Sequence, residues 1–247
     1  MSKLSIVLTY YQRQKQLNKT LESFKQYNPD DFNVIIVDDA SPDDIILPEL
    51  SFEVIIIKLE NKTWANTASV YNVGFIEALK YNPEIIIIQN AECLHWGDIL
   101  GYAEKVTDET YISFACFSLA EGESECDEVI KDKAAEFNGD SAWYNHPIYR
   151  PVGFHFCVAI TTKNLRKING FDERFCDGVA FEDNMFIHQI RNLGLKIEIT
   201  ERPMVFHQWH YDGSTHKQKL VEKNKELWLE LEQCLEFRAV HTITPDL

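Results

Sequence analysis

No CxxC pair occurs among the six cysteines of this chain (Cys93, Cys116, Cys126, Cys157, Cys176, Cys234). That spacing argues against a zinc cluster or a disulfide framework. Several of the cysteines sit in apolar runs such as Phe114-Ala115-Cys116-Phe117, as reduced buried thiols do. Basic residues are also scarce: 24 Lys and Arg stand against 39 Asp and Glu, a formal charge of −15. Such a surface repels phosphate backbones and anionic bilayers, so a nucleic-acid partner is not expected. A single nucleotide is not excluded, because one site can be tuned locally. No apolar run approaches the roughly 18 residues of a transmembrane helix, and MSKLSIVLTYY opens in a strand pattern without a signal-peptide core. The expectation is a soluble cytoplasmic protein. The loop after the first strand, Thr9-Tyr10-Tyr11-Gln12, lacks the Gly-rich basic character of nucleotidyltransferase phosphate loops. There is no internal repeat, low-complexity segment or linker.

What is present is a core-forming α/β pattern. Hydrophobic residues make up 45% of 247 positions, enough for one large domain. Leu4 to Thr9, Val34 to Val37, Phe52 to Leu59 and Ile85 to Gln89 read as strands. Leu17, Leu21 and Phe24, then Ala68, Tyr71, Phe75 and Leu79, recur at helical spacing. This order predicts a mostly parallel central sheet flanked by helices. Later, Tyr111 to Phe117 and Phe154 to Thr161 read as strands. Glu121 to Arg150 reads as a long loop or insertion, expected to act as a mobile lid. Phe181 to Leu193 is a helix. Lys196 to Thr200 and Met204 to Trp209 are two short strands. Lys217 to Phe237 is an amphipathic helix whose leucine stripe fits packing on the domain or pairing with a second copy as a homodimer.

Four polar clusters follow strands or open helices. Tyr11, with Thr9 and Arg13 beside it, is an exposed loop residue or a base-stacking ring. Asp38 and Asp39, directly after an apolar strand, form a turn or accept from a base or ribose. Asn90 and Glu92 lie on one side of an extended segment. They terminate the strand, or Glu92 supplies an oxygen ligand to a hard divalent ion while Asn90 adds a neutral oxygen or bonds a ribose. Glu182 and Asp183 open a helix, where the macrodipole favours acids; either also suits a general base. His207 and His210, at i, i+3, would not share one face of a strand. At most one serves as a ligand there unless a turn intervenes.

These clusters, in this order, resemble a family-2-type inverting glycosyltransferase of the GT-A fold. The resemblance runs through LSIVLTYYQR, VIIVDDASPDD, NTASVYNVGFIEAL, IIIIQNAE, INGFDERF and FEDNMFIHQIRNLGLKIEI, roughly residues 4–210. It implies one domain over 1–247: a nucleotide-sugar-binding half (1–100), an acceptor and catalytic half (101–215), and a C-terminal helix and tail (216–247). It implies that Thr9 and Tyr11 hold a uracil ring and that Asp39, beside Asp38, contacts the base. Asn66 and Asn72 fall on the donor side. Asn72 stands where an Ala-Arg-Asn triplet is usual, and here the triplet is Val70-Tyr71-Asn72. Lys62 or Arg13 would have to replace the missing arginine. Asn90-Ala91-Glu92 occupies the place of the Asp-x-Asp motif, so Glu92 would hold Mn²⁺ or Mg²⁺ with His207, His210 being the alternative. Asp183 matches the catalytic base, and Glu182 would position the sugar or acceptor. Gly153 to Phe156 and Phe171-Asp172 would line the acceptor side. The implied reaction moves a sugar from a nucleotide-diphosphate donor, UDP-linked, to a hydroxyl of a glycan, glycolipid or protein, with inversion. The rival reading is a non-catalytic relative that binds a sugar or nucleotide, motivated by the altered metal motif.

Overall fold

The computed structural model describes residues 3–135, 142–211 and 217–247. In the first half, β1 (Leu4–Tyr10), α1 (Gln14–Phe24), β2 (Phe32–Asp38), β3 (Glu53–Lys58), α2 (Ala68–Ala78) and β4 (Ile85–Asn90) follow the expected order. The second half holds β5 (Cys93–Trp96), α3 (Ile99–Ala103), β6 (Thr110–Ser118), α4 (Asp127–Ala135), β7 (Trp143–Asn145), β8 (Cys157–Thr161), α5 (Thr162–Ile168), α6 (Glu182–Asn192), β9 (Lys196–His207) and α7 (Gln218–Leu231). One sheet runs in the order β3-β2-β1-β4-β8-β6-β9-β5, with β7 added to β6. The pairs β3-β2, β2-β1 and β1-β4 are parallel.

Strand alternation explains the two-sided core. Ile6, Leu8, Val34, Ile36, Ile85 and Ile87 face α1, packing against Leu17, Leu21 and Phe24. Their neighbours Val7, Ile35, Val37, Ile86 and Ile88 face the other way, against α2, α5 and α6. Runs of β-branched residues are therefore buried on both faces, as parallel strands require. Helix α2 lies close to the sheet because Gly74 has no Cβ. One placed there would sit 2.5 Å from Val7 Cγ1 and 3.0 Å from Val37 Cγ2.

Three expectations need correction. The segment Glu121 to Arg150 is not simply a loop. It contains α4 and β7, and Ile130 and Ala134 of α4 pack with Leu94, Trp143, Met204 and Phe206. Residues 136–141 of that segment lie outside the described residues, as does residue 216, where the C-terminal unit was expected to begin. The two short strands from Lys196 onward are one, β9. A register shift against β6 at Phe114/Ala115 absorbs the irregularity near Pro203 without ending the strand. Finally, α7 stops at Leu231, and Leu235 is 87% exposed. Leu227, Trp228 and Leu231 pack on Phe175 and Met185 of the same chain.

Candidate active site

Parallel strands deliver their C-terminal ends to one edge, where open α/β sheets place ligands. Register puts Thr9 beside Asn90 and Tyr10 beside Asp38. A cleft of about 150 Å³ opens at this edge, lined by Thr9, Arg13, Asn90 and Glu92 on the sheet side and by Glu182 and Asp183 opposite. Thr67, Tyr71, His155 and Phe156 complete it.

Glu92 is 3% exposed, and its Oε1 collects three partners. Arg13 Nη1 donates at 2.6 Å, and the Nε2 atoms of His207 and His210 lie at 3.2 and 3.4 Å. Burial alone would raise the Glu92 carboxyl. His207, His210 and Arg13 outweigh it and hold the group well below the usual carboxylate range. One ligand atom from each of Glu92, His207 and His210 lies within 4.8 Å of the others. Strand alternation does not separate the two histidines, because β9 ends at His207 and His210 lies beyond it. Ligand separations of about 3 to 3.5 Å are what metal–ligand bonds near 2.1 Å produce, and imidazole with carboxylate suits a divalent transition ion. The donor set therefore fits such an ion.

Across the cleft, Ala180 and Phe181 both have positive φ, 64° and 67°, immediately before the acidic pair. Two successive non-glycine residues in this region are strained, and strain of this kind concentrates at functional sites. Helix α7 holds the turn. Buried Asn224 donates to Ala180 O at 2.8 Å and to Phe175 O at 3.0 Å, and Val179 N–H donates to Leu220 O. Asn66 Nδ2 donates to Glu182 Oε2 at 2.5 Å. Burial, then the charge of Asp183, pushes the Glu182 carboxyl up to about 8. A carboxyl held there keeps its proton near neutral pH.

Beside this cleft lies a second polar cluster. Asp39 accepts from Trp64 Nε1 at 2.6 Å and pairs with Lys62. Burial raises its pKa despite these partners. Lys62 Nζ also stands 5.0 Å from the ring centroid of Tyr11, which is 46% exposed. Asp38 is buried and caps the turn through Ser41 N–H at 2.9 Å.

Several residues sit elsewhere than the family pattern suggested. Asn72 does not line the cleft. It is fully buried, donates to Phe171 O (2.9 Å) and Glu173 Oε1 (3.0 Å), and accepts from Phe171 N–H (2.9 Å). Phe171 is a core residue, and Asp172 is engaged by Arg174. Neither candidate replacement for the missing arginine is free, since Arg13 holds Glu92 and Lys62 holds Asp39. Sequence reasoning gave no individual role to Trp64, Tyr71 or His155. Tyr71 OH donates to Asn90 Oδ1 at 3.0 Å, and its position in the altered triplet was the available signal. His155 is 7% exposed and burial lowers its pKa. Its isolated position gave no spacing to read.

Residues 5–73 match the model of Glycosyl transferase family 2. The structure superposes on S. aureus TarS 1–349 in complex with UDP-GlcNAc with a TM-score of 0.61 and 14% identity, covering 86% of this chain and 60% of that one. It also superposes on the mannosyltransferase PcManGT from Pyrobaculum calidifontis in complex with GDP-Man and Mn²⁺ (TM-score 0.52, 16% identity, 85% and 58% covered). A stretch of 43 residues is 49% identical to part of the teichoic acid poly(glycerol phosphate) polymerase of Staphylococcus epidermidis, covering 17% of this chain and 6% of that protein. The chain thus spans less than two thirds of the length of each of these three. The superpositions show a fold of the GT-A type, and within it the N-terminal segment, residues 5–73, matches glycosyl transferase family 2. No helix among the described residues is long and apolar enough to cross a membrane.

Proposed function

We propose that the cleft transfers a sugar from a nucleotide-diphosphate donor, UDP-linked, to a hydroxyl acceptor on a glycan, glycolipid or protein, with inversion. The supporting observation is the opposition of two unlike groups across one small cavity. An anion-anchoring, metal-competent cluster (Glu92, His207, His210) faces a proton-accepting pair (Glu182, Asp183). In this reading Tyr11, Thr9 and the Asp39 cluster hold the base, and Asn90 and Asn66 border the sugar. Asp183 removes the acceptor hydroxyl proton. The oxygen forms a bond to the anomeric carbon as the bond from that carbon to the diphosphate oxygen breaks, its electron pair leaving with the diphosphate. Glu182, protonated near neutrality, keeps a second negative charge away from the departing anion. Glu92, His207 and His210 would hold a divalent ion such as Mn²⁺, which when bound supplies electrostatic neutralisation of the diphosphate.

UDP with Mn²⁺ should raise the melting temperature, and Glu92→Ala should abolish the rise. Absence of a shift with any nucleotide or nucleotide sugar would sink the proposal. Asn90-Ala91-Glu92 in the place of an Asp-x-Asp motif favours a second reading, a binding protein without catalysis. A cavity of about 150 Å³ is smaller than the roughly 300–1,000 Å³ of ordinary ligand sites, so a nucleotide sugar enters only if walls move. Sugar transfer that is lost in Asp183→Asn while UDP still binds would exclude this alternative.

A further inference from the structure

The Oε1 atom of Glu92 is the shared point of the site. It accepts from Arg13 Nη1 at 2.6 Å and faces the Nε2 atoms of His207 and His210 at 3.2 and 3.4 Å. The guanidinium cannot shed its proton. A divalent ion held by that oxygen and the two imidazole nitrogens would stand within a few ångströms of a fixed positive charge, competing with it for the same lone pairs. Arg13 and the ion are therefore alternative partners of Glu92.

A displaced Arg13 has one evident destination. It already lines the cleft with Thr9 and Asn90. The triplet position that resemblance would fill with arginine is Tyr71 here, a buried ring bonded to Asn90. The other nearby cation, Lys62, is paired with Asp39. A guanidinium matches phosphate oxygens with a planar two-pronged fork. We propose that Arg13 exchanges Glu92 for the donor diphosphate when the divalent ion binds, and so supplies the cationic contact that the altered triplet lacks. This rests on the donor reading above. Linkage then makes ion and nucleotide mutually reinforcing, because the ion frees the residue that the diphosphate uses.

The test is isothermal titration of the full chain with Mn²⁺ alone and with UDP at saturating Mn²⁺, for the wild type, Arg13→Gln and Arg13→Lys. Removing the competing charge in Arg13→Gln should tighten Mn²⁺ alone by roughly fivefold or more and weaken UDP by at least as much, the low end of ordinary coupling. Arg13→Lys keeps the charge and should leave Mn²⁺ affinity near the wild-type value while weakening UDP through loss of the fork. Opposite signs in Arg13→Gln support the exchange. Mn²⁺ affinity that is unchanged or lower in Arg13→Gln overturns it, as does tighter Mn²⁺ with unchanged UDP. A wild type that binds Mn²⁺ but no UDP refutes the donor reading instead, and the Mn²⁺ comparison then still decides whether Arg13 competes for Glu92.

Discussion

Asn72 offers a clean separation between what a motif position suggests and what the folded chain does with it. In the family pattern this asparagine belongs to the donor side. Here its side chain stitches α2 to the segment around Phe171 with two donated bonds and one accepted bond, all between 2.9 and 3.0 Å and all buried. Replacing it with alanine orphans the Phe171 N–H and carbonyl in a site with no water access. Each orphan costs about 1–3 kcal/mol. Glu173 loses one donor but keeps the backbone N–H groups of Thr242, Ile243 and Thr244, so little is added there. The expected loss is about 2–6 kcal/mol, a large share of the roughly 5–15 kcal/mol that stabilises a typical domain. It corresponds to a drop in melting temperature of about 10 °C at this size. Asn72→Asp should cost more, because it sets a carboxylate 3.0 Å from Glu173. Urea denaturation of both variants reads the stability, and UDP titration of the protein that remains folded reads the site. Loss of UDP affinity with a stability change below about 1 kcal/mol would show that Asn72 is a ligand contact and that the structural role is wrong.

The pH dependence of stability should carry the mark of Glu182. Its folded-state value near 8 lies above the ordinary 4.5, so the native state binds more protons than the unfolded chain between those limits. Stability from this group is full below about 4.5 and is lost as pH rises towards 8. Glu182→Gln should flatten that part of the melting-temperature profile, and parallel profiles for the two proteins would refute the assignment. Gly74→Ala brings a methyl to 2.5 Å from Val7 Cγ1. Overpacking of about 1–3 kcal/mol exceeds the roughly 1 kcal/mol of helix propensity gained, so chemical denaturation should register a net loss, and a gain would count against the close packing of α2.

The first half of the fold was legible because its signals are long and redundant. Four β-branched residues before Gln89 mark a strand by length and residue type, and Leu17, Leu21 and Phe24 recur at the helical period. The second half was harder for physical reasons. Strand β5 is four residues and α3 is five, too short for any periodicity. Helix α4 is acidic, buries only Ile130 and Ala134, and so resembles a solvated loop. Pro203 reads as a break, yet the bulge opposite Ala115 lets β9 pass through it. Leu235 continues the helical stripe in sequence, but it is 87% exposed and the packing of α7 ends with Leu231.

The structure brings Glu92 and Asp183 to one cleft, whereas position in the sequence left each with an ordinary alternative, a strand end for Glu92 and a first helical turn for Asp183. What no pattern could reveal is that two of the site's carboxylates are already paired, Glu92 with Arg13 and, beside the cleft, Asp39 with Lys62. In a chain of net charge −15 this pairing means that an anionic ligand cannot simply add to the site. Each cation it uses must first leave a carboxylate, and each carboxylate left behind must find a new partner. On the exchange proposed for Arg13, binding at this sheet edge swaps partners, and selectivity would fall to whichever ligand replaces them in pairs, as a divalent ion with a diphosphate would.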